Sequence, residues 1–248
     1  MVDQHYWKEH SFFRILPEDC QNFTITENTF YEMPLTGGYG LNDAYYNEES
    51  DTWFVEIYYQ GMKYWAEIFW EDWDWKACYQ LEKDTFSKDI EERIIKETKT
   101  LTISMAILGT YCVHGYWLQL QFAKDLVGSM LCLYDESKEH LHTAEWVAKA
   151  AAAQRQFPLN NLFAVHLEID EKEGRTLMET AGLSRFGLSE LSDQVNLVPK
   201  VDSPPELVQE VRNHLDDIVD QASDNLYLLV NKGRFSRLVN PAMWKHEH

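Results

Sequence analysis

Two runs rich in aromatic and β-branched side chains, Trp53-Phe54-Val55-Glu56-Ile57-Tyr58-Tyr59 and Met62-Lys63-Tyr64-Trp65-Ala66-Glu67-Ile68-Phe69-Trp70, stand on either side of Gln60-Gly61. Such side chains suit a pleated surface, and a short glycine-containing connection between two such runs predicts a β-hairpin. Glu56 and Tyr58 alternate with Val55, Ile57 and Tyr59, the pattern of a strand with one covered face and one wet face. The region around this hairpin, roughly residues 1–85, reads as β-rich and aromatic. Within it, Leu35-Thr36-Gly37-Gly38-Tyr39-Gly40 lacks the Lys-Ser/Thr of a phosphate loop and is read as a turn.

After residue 85 the pattern changes. Thr85–Lys99 reads as a helix, with Ser87 as N-cap, Asp89 in the first turn and an apolar stripe of Ile90, Ile94 and Ile95. Leu101–Leu108 reads as a strand followed by Gly109. His114–Val127 reads as a helix with Trp117, Leu118, Phe122 and Leu126 inward, stopped at Gly128. Met130–Tyr134 is a further strand and Thr143–Gln154 an alanine-rich helix closed by Phe157-Pro158. This β-α-β order suggests a local parallel crossover, right-handed if formed.

Leu162–Ile169 and Arg175–Ala181 predict a second hairpin across Asp170–Gly174, with Phe163, Val165, Leu167 and Ile169 on one face and His166 and Glu168 on the other. Ser203-Pro204-Pro205-Glu206 reads as a capped helix start with Ser203 as N-cap. Leu207, Val208, Val211, Leu215, Ile218, Val219 and Ala222 mark the buried stripe of that helix. Leu226–Val230 is expected as a last strand before a turn at Lys232-Gly233, and the tail after Pro241 as mobile.

The fold class is therefore α+β: an aromatic β-rich N-terminal part, residues 1–85, followed by a mixed α/β sandwich over 86–248 in which helices cover a sheet. A chain of 248 residues is long enough for one large domain or two small ones with an adequate core.

Charge narrows the function classes. The chain has 41 acidic and 22 basic residues, a formal net charge of −19. Between Arg14 and Lys63 there is no Lys or Arg, yet that stretch carries Glu18, Asp19, Glu27, Glu32, Asp43, Glu48, Glu49, Asp51 and Glu56. Such a surface repels phosphate backbones, which argues against nucleic acid, and speeds encounter with a basic protein. No apolar run approaches the roughly 20 residues that cross a bilayer, and the N-terminus lacks the basic start and apolar stretch of a secretory signal. A cytoplasmic setting with no membrane partner is the expectation. The cysteines at 20, 78, 112 and 132 are far apart with no C-x-x-C pair, and are read as free thiols rather than disulfides or zinc ligands.

Two constellations are candidates for function. The first is acidic and aromatic: Glu48, Glu49 and Asp51, together with Trp70-Glu71-Asp72-Trp73-Asp74-Trp75. Exposed tryptophans beside carboxylates can recognise cations or small ligands. The second is Asp135-Glu136-Ser137-Lys138-Glu139-His140-Leu141-His142, which follows a strand. Its Asp135, Glu136, Ser137, His140 and His142 are donors that a divalent metal or a hydrolytic reaction would use. No G-x-S-x-G elbow supports Ser137 as a nucleophile. His114 and His166 are isolated and read as ordinary residues. No motif implies a cofactor, and no catalytic set is complete.

Leu118-Gln119-Leu120-Gln121, Asp135-Glu136-Ser137, Glu145-Trp146-Val147 and Gly182-Leu183-Ser184-Arg185-Phe186-Gly187-Leu188-Ser189-Glu190-Leu191 follow one another in an order that resembles a bacterial family, domain of unknown function 4026. The resemblance covers about residues 100–230 and only loosely the aromatic first part. This chain has Phe186 where that family often has Cys, and Thr180-Ala181-Gly182 where it tends to have T-H-G, which removes a Cys-His pair as a source of chemistry here. The resemblance implies a bacterial, intracellular protein and carries no catalytic residues. On their own chemistry, Gly182 and Gly187 suit positive φ, Leu183, Leu188 and Leu191 anchor the turn, and Arg185 calls for a carboxylate.

Three functions are consistent with these residues. The preferred one is a non-catalytic acidic interaction protein, of the immunity or regulatory type, that binds a basic protein. The others are a metal-dependent hydrolase using the Asp135–His142 loop and a small-ligand module using the Trp70–Trp75 segment.

Overall fold

The structure is a computed structural model and describes residues 10–80, 85–107, 112–153, 156–200 and 203–232. The Leu108-Gly109 end of the expected strand, Gln154, Gly233 and the tail after Pro241 lie outside the described residues.

The chain runs β1 (His10–Pro17), α1 (Glu27–Glu32), β2 (Gly40–Asn47), β3 (Thr52–Tyr59), β4 (Met62–Asp72), α2 (Trp75–Gln80), α3 (Lys88–Ile94) and β5 (Lys99–Ala106). It continues as α4 (Cys112–Val127), β6 (Met130–Asp135), β7 (His140–Thr143), α5 (Ala144–Ala152), β8 (Ala164–Asp170), β9 (Arg175–Ala181), β10 (Ser192–Val195) and α6 (Pro205–Lys232). Seven strands form one sheet in the order β2-β3-β4-β5-β1-β6-β7, and three form a smaller one, β10-β9-β8. The α+β class holds.

The expected hairpin forms between β3 and β4, in register from Thr52↔Phe69 to Tyr59↔Met62. Gln60 and Gly61 both take positive φ, +50° and +80°. Two left-handed residues give the turn a twist that matches the strands it joins.

Strands before and after residue 85 share the larger sheet, and its centre was not anticipated. His10–Pro17 pairs antiparallel with β5 on one side and β6 on the other. The β5-α4-β6 unit therefore does have parallel strands, but they are not neighbours, because β1 is inserted between them. All neighbouring pairs of this sheet are antiparallel.

α4 lies against one face. Trp117, Leu118, Phe122 and Leu126 are buried, as their spacing requires, and pack in one cluster with Phe13, Ile15, Val55, Ile57, Ile68, Leu101 and Ile103. On the opposite face a second cluster of Leu16, Trp75, Ile94, Cys132 and Leu141 is closed by α2 and α3. Cys20, Cys78 and Cys132 are free thiols.

Three boundaries differ from the sequence expectation. The helix expected over Thr85–Lys99 spans only Lys88–Ile94, and Lys99 already pairs with Asp72 in the sheet. Ser87 stands at its N-cap position without a side-chain hydrogen bond. Ser203 does not cap α6; its hydroxyl accepts from the Lys200 amide at 2.7 Å, while the Pro204 carbonyl accepts from Leu207 and Val208. The expected strand Leu226–Val230 is the last part of α6, since Leu226 continues the buried stripe of Val211, Ile218 and Ala222 at helical spacing. The β8–β9 hairpin forms as read, but Leu167 and Ile169 are about half exposed because β8 is the edge of the smaller sheet.

Candidate functional site

The acidic and aromatic residues of the first constellation meet at one end of the larger sheet but do not form one surface. Glu48, Glu49 and Asp51 are exposed in the β2–β3 turn, and the pairing Thr52↔Phe69 puts that turn beside Trp70–Asp72. Asp51 accepts a 2.5 Å hydrogen bond from Tyr46, which holds the Tyr46 hydroxyl above its ordinary pKa. The tryptophans go elsewhere. Trp70 packs toward the α4 side against Phe23. Trp73 lies beneath the Arg14 guanidinium, 3.8 Å from its ring centre, and Trp75 is wholly buried with its indole N–H on the Lys99 carbonyl. Asp72 and Asp74 alone remain exposed, so the Trp70–Trp75 segment is a core edge rather than an aromatic patch.

A different aromatic surface stands beside it. Residues opposite one another in an antiparallel pair share a face. Tyr45 opposes Phe54, Phe54 opposes Glu67, and Glu56 opposes both Asp43 and Trp65. These positions alternate with the core residues Val55 and Ile57, so they point away from α4. Tyr45, Tyr58 and Trp65 are 48%, 37% and 43% exposed, and Tyr45 stacks on Phe54. Lys63 lies over the Tyr58 ring at 5.2 Å and donates to Glu56 at 3.1 Å. Among the described residues Asp43, Glu48, Glu49, Glu67 and Asp72 make no ion pair. The alternation of Tyr45, Phe54 and Trp65 with core positions carried the signal for this face.

The Asp135–His142 loop is divided between β6, a short 3-10 turn (Glu136–Lys138) and β7. Asp135 is fully buried. It accepts from Arg185 at 2.8 Å and Tyr116 at 2.7 Å, and its other near cation is Lys138 at 3.7 Å. Glu136 turns outward and pairs with Arg14, which also holds Glu71 at 3.0 Å. His140 and His142 alternate with buried Leu141, and their rings approach to 4.5 Å. No group of three or more His, Cys, Asp or Glu side chains able to hold a metal ion occurs among the described residues. His166, read as an ordinary surface residue, bonds through Nε2 to the Lys138 carbonyl, and His114 is buried near Tyr59.

The glycine-rich turn completes the same cluster. Gly182 has φ +109°, and an added Cβ would sit 3.0 Å from the Leu162 carbonyl oxygen. Glu190 folds back to accept from the amides of Gly182 and Ser184, and from Thr180. Arg185 is thereby inserted into the core, where it reaches Ser11 as well as Asp135. Gln119 of α4 donates to the Ser11 and Ile103 carbonyls. The quoted segments thus converge on one buried polar network, with Val147 in the core beside it.

Burial disfavours the charged forms of both Lys138 and His142. Burial pushes Lys138 down to about 7, partly opposed by Asp135. Burial, followed by repulsion from Lys138, His140 and Arg185, holds His142 well below its ordinary 6.5. Below that pH the unfolded chain binds a proton at His142 that the folded chain refuses. Stability present above pH 6.5 is therefore lost as pH falls. The urea midpoint of His142→Gln is expected to fall less between about pH 7 and pH 5 than that of the unsubstituted protein. Parallel losses would contradict this.

The family model described as Protein of unknown function (DUF4026) N-terminal matches residues 11–156, more than half of the chain. No curated protein and no solved structure matches it. The match takes in almost the whole seven-stranded sheet with α4 and α5, including the aromatic first part, whose short motifs resemble the family only loosely. It contains Leu118–Gln121, Asp135–Ser137 and Glu145–Val147 and ends before Gly182–Leu191, so it overlaps the 100–230 read from short motifs only up to residue 156 and extends well beyond it toward the N-terminus. Among the described residues no helix is long and apolar enough to cross a membrane. The chain belongs to the DUF4026 family through its N-terminal region.

Proposed function

We propose that this protein is a non-catalytic interaction protein, of the immunity or regulatory type, whose outward β2–β4 face receives a Lys- and Arg-rich segment of a partner protein. The observation that carries this reading is the strip of exposed Tyr45, Tyr58 and Trp65 with half-buried Phe54 beneath Tyr45, bordered by carboxylates without ion pairs among the described residues. Aromatic faces attract cations, and neighbouring carboxylates strengthen that attraction and steer the approach. Lys63, seated on Tyr58 and bonded to Glu56, is an intramolecular version of the same recognition.

The test is binding of nona-arginine to the full chain by calorimetry at low and moderate salt. Trp65→Ala combined with Tyr45→Ala is expected to weaken binding about tenfold or more, as loss of aromatic anchors does. Neutralising Glu48, Glu49 and Asp51 to their amides is expected to reduce mainly the association rate and its salt dependence. Affinity indifferent to salt, or unchanged in both sets of variants, overturns the reading.

A further inference from the structure

Two sheet edges face each other at the Asp135–His142 loop. β7 is the last strand of the larger sheet and β8 the last strand of the smaller. The cleft between them has a volume of ≈ 540 Å³, and its walls include Lys138, His140, His142, Trp146, Asn161 and His166. Unlike the rest of this acidic chain, these walls are rich in nitrogen. Glu139 is the one carboxylate that lines them, and it is exposed at the rim.

We propose that this cleft binds a small molecule through an oxyanion, either a carboxylate or a tetrahedral phosphate- or sulfate-type group, with His142 and Lys138 as its principal contacts. Two independent observations support it. His142 stacks flat on Trp146, at 3.6 Å between ring centres and 12°, which fixes its ring, yet its Nε2 is buried without a hydrogen-bond partner. A fixed, desolvated ring nitrogen left unpaired is costly unless a ligand group satisfies it. The second observation is charge. Lys138 and Arg185 share one buried carboxylate, Asp135, within ion-pair distance. Lys138 otherwise has the Asn161 carbonyl at 3.0 Å and the Trp146 and Tyr116 rings at 4.8 and 5.4 Å. Two cations to one carboxylate leave room for an anion, and a bound anion restores the charge of Lys138.

Binding is therefore coupled to proton uptake. The titratable and charged groups around Lys138 are Asp135, Arg185, Tyr116, His140, His142 and His166, with Glu139 at the rim. Of these, the first carboxylate is already committed to Arg185 and Tyr116. An incoming anion is favoured at pH values where Lys138 holds its proton and disfavoured above them.

Sulfate and acetate are suitable probes, because neither changes charge between about pH 6 and pH 8.5, so any change in affinity belongs to the protein. Full-length protein with labelled histidine rings is titrated with each at constant ionic strength, and His142 is assigned through loss of its signal in His142→Gln. Saturable movement of the His142 and His166 resonances with at least one probe is expected; sulfate alone identifies a tetrahedral oxyanion, acetate alone a carboxylate. Affinity at pH 8.5 should be about tenfold or more below that at pH 6, following the charge on Lys138. Asn160→Asp adds a negative charge at an exposed position on the wall and should weaken binding about tenfold without disturbing the fold. Unmoved histidine resonances with both probes, pH-independent affinity, or unaltered binding in Asn160→Asp would each overturn the proposal.

Discussion

Replacing Asp135 by alanine is expected to destabilise the protein by about 3–5 kcal/mol in urea unfolding, the range for breaking a buried ion pair from one side. The carboxylate has no exposure and is the shared acceptor of Arg185, Tyr116 and the Lys138 amide. Without it, a guanidinium with only 5% of its residue surface exposed keeps its charge and loses its counter-ion. An arginine cannot escape by deprotonating, so most of the penalty falls on the folded state. The cost lies in the uncompensated charge rather than in the pair itself. Asp135→Leu combined with Arg185→Met should therefore lose less than the two single variants together. Strict additivity of the two would contradict the description of Asp135 as the hub of one network.

Phe13→Ala is expected to cost a similar amount, about 3–5 kcal/mol, the range for emptying a large aromatic site in a core. Phe13 has no exposure and meets Tyr116 edge-on at 5.4 Å. It lies on β1, opposite Ile103 of β5 and Asp135 of β6. A cavity there undermines the strand that joins the two halves of the larger sheet and the hydroxyl donor of the Asp135 network together. Denaturant unfolding checks it: a loss below about 1.5 kcal/mol, within the range of a volume-conserving swap, would mean that this site is not tightly packed.

Legibility in the sequence followed the strength of local periodicity. The β3–β4 hairpin, α4 and the β8–β9 hairpin were readable because alternation or helical spacing persists over each. β1 was not, since His10-Ser11-Phe12-Phe13-Arg14-Ile15-Leu16-Pro17 puts a charge in the middle of an apolar run. The structure resolves this by placing Arg14 on the α2–α3 side, over Trp73 and between Glu71 and Glu136. Leu226–Val230 misled in the opposite way: a short apolar run has the composition of a strand, and only its phase relative to Ala222 identifies it as helix.

The candidate sites were partly legible for a related reason. Composition identified the acidic first part and the Asp135–His142 loop. It did not distinguish the buried Trp75 from the exposed Trp65, because that depends on which face α2 and α3 cover. Arg185 was expected to meet a carboxylate, yet the partner, Asp135, is distant in sequence and becomes visible only through the fold. Lys138 gave no sign at all. A lysine in a hydrophilic loop looks solvated until three elements close over it.

The most direct test of the central claim is where a basic ligand lands. α6 also carries exposed carboxylates, among them Glu206, Glu210 and Asp217, but no aromatic strip, and so is the natural competing surface. Backbone-amide NMR of the full chain during titration with nona-arginine separates the two. Shifts concentrated on Tyr45, Phe54, Tyr58, Trp65 and Glu67, with movement of the Trp65 indole signal, are the predicted result. Shifts centred on α6, or spread evenly over the acidic surface, would contradict it.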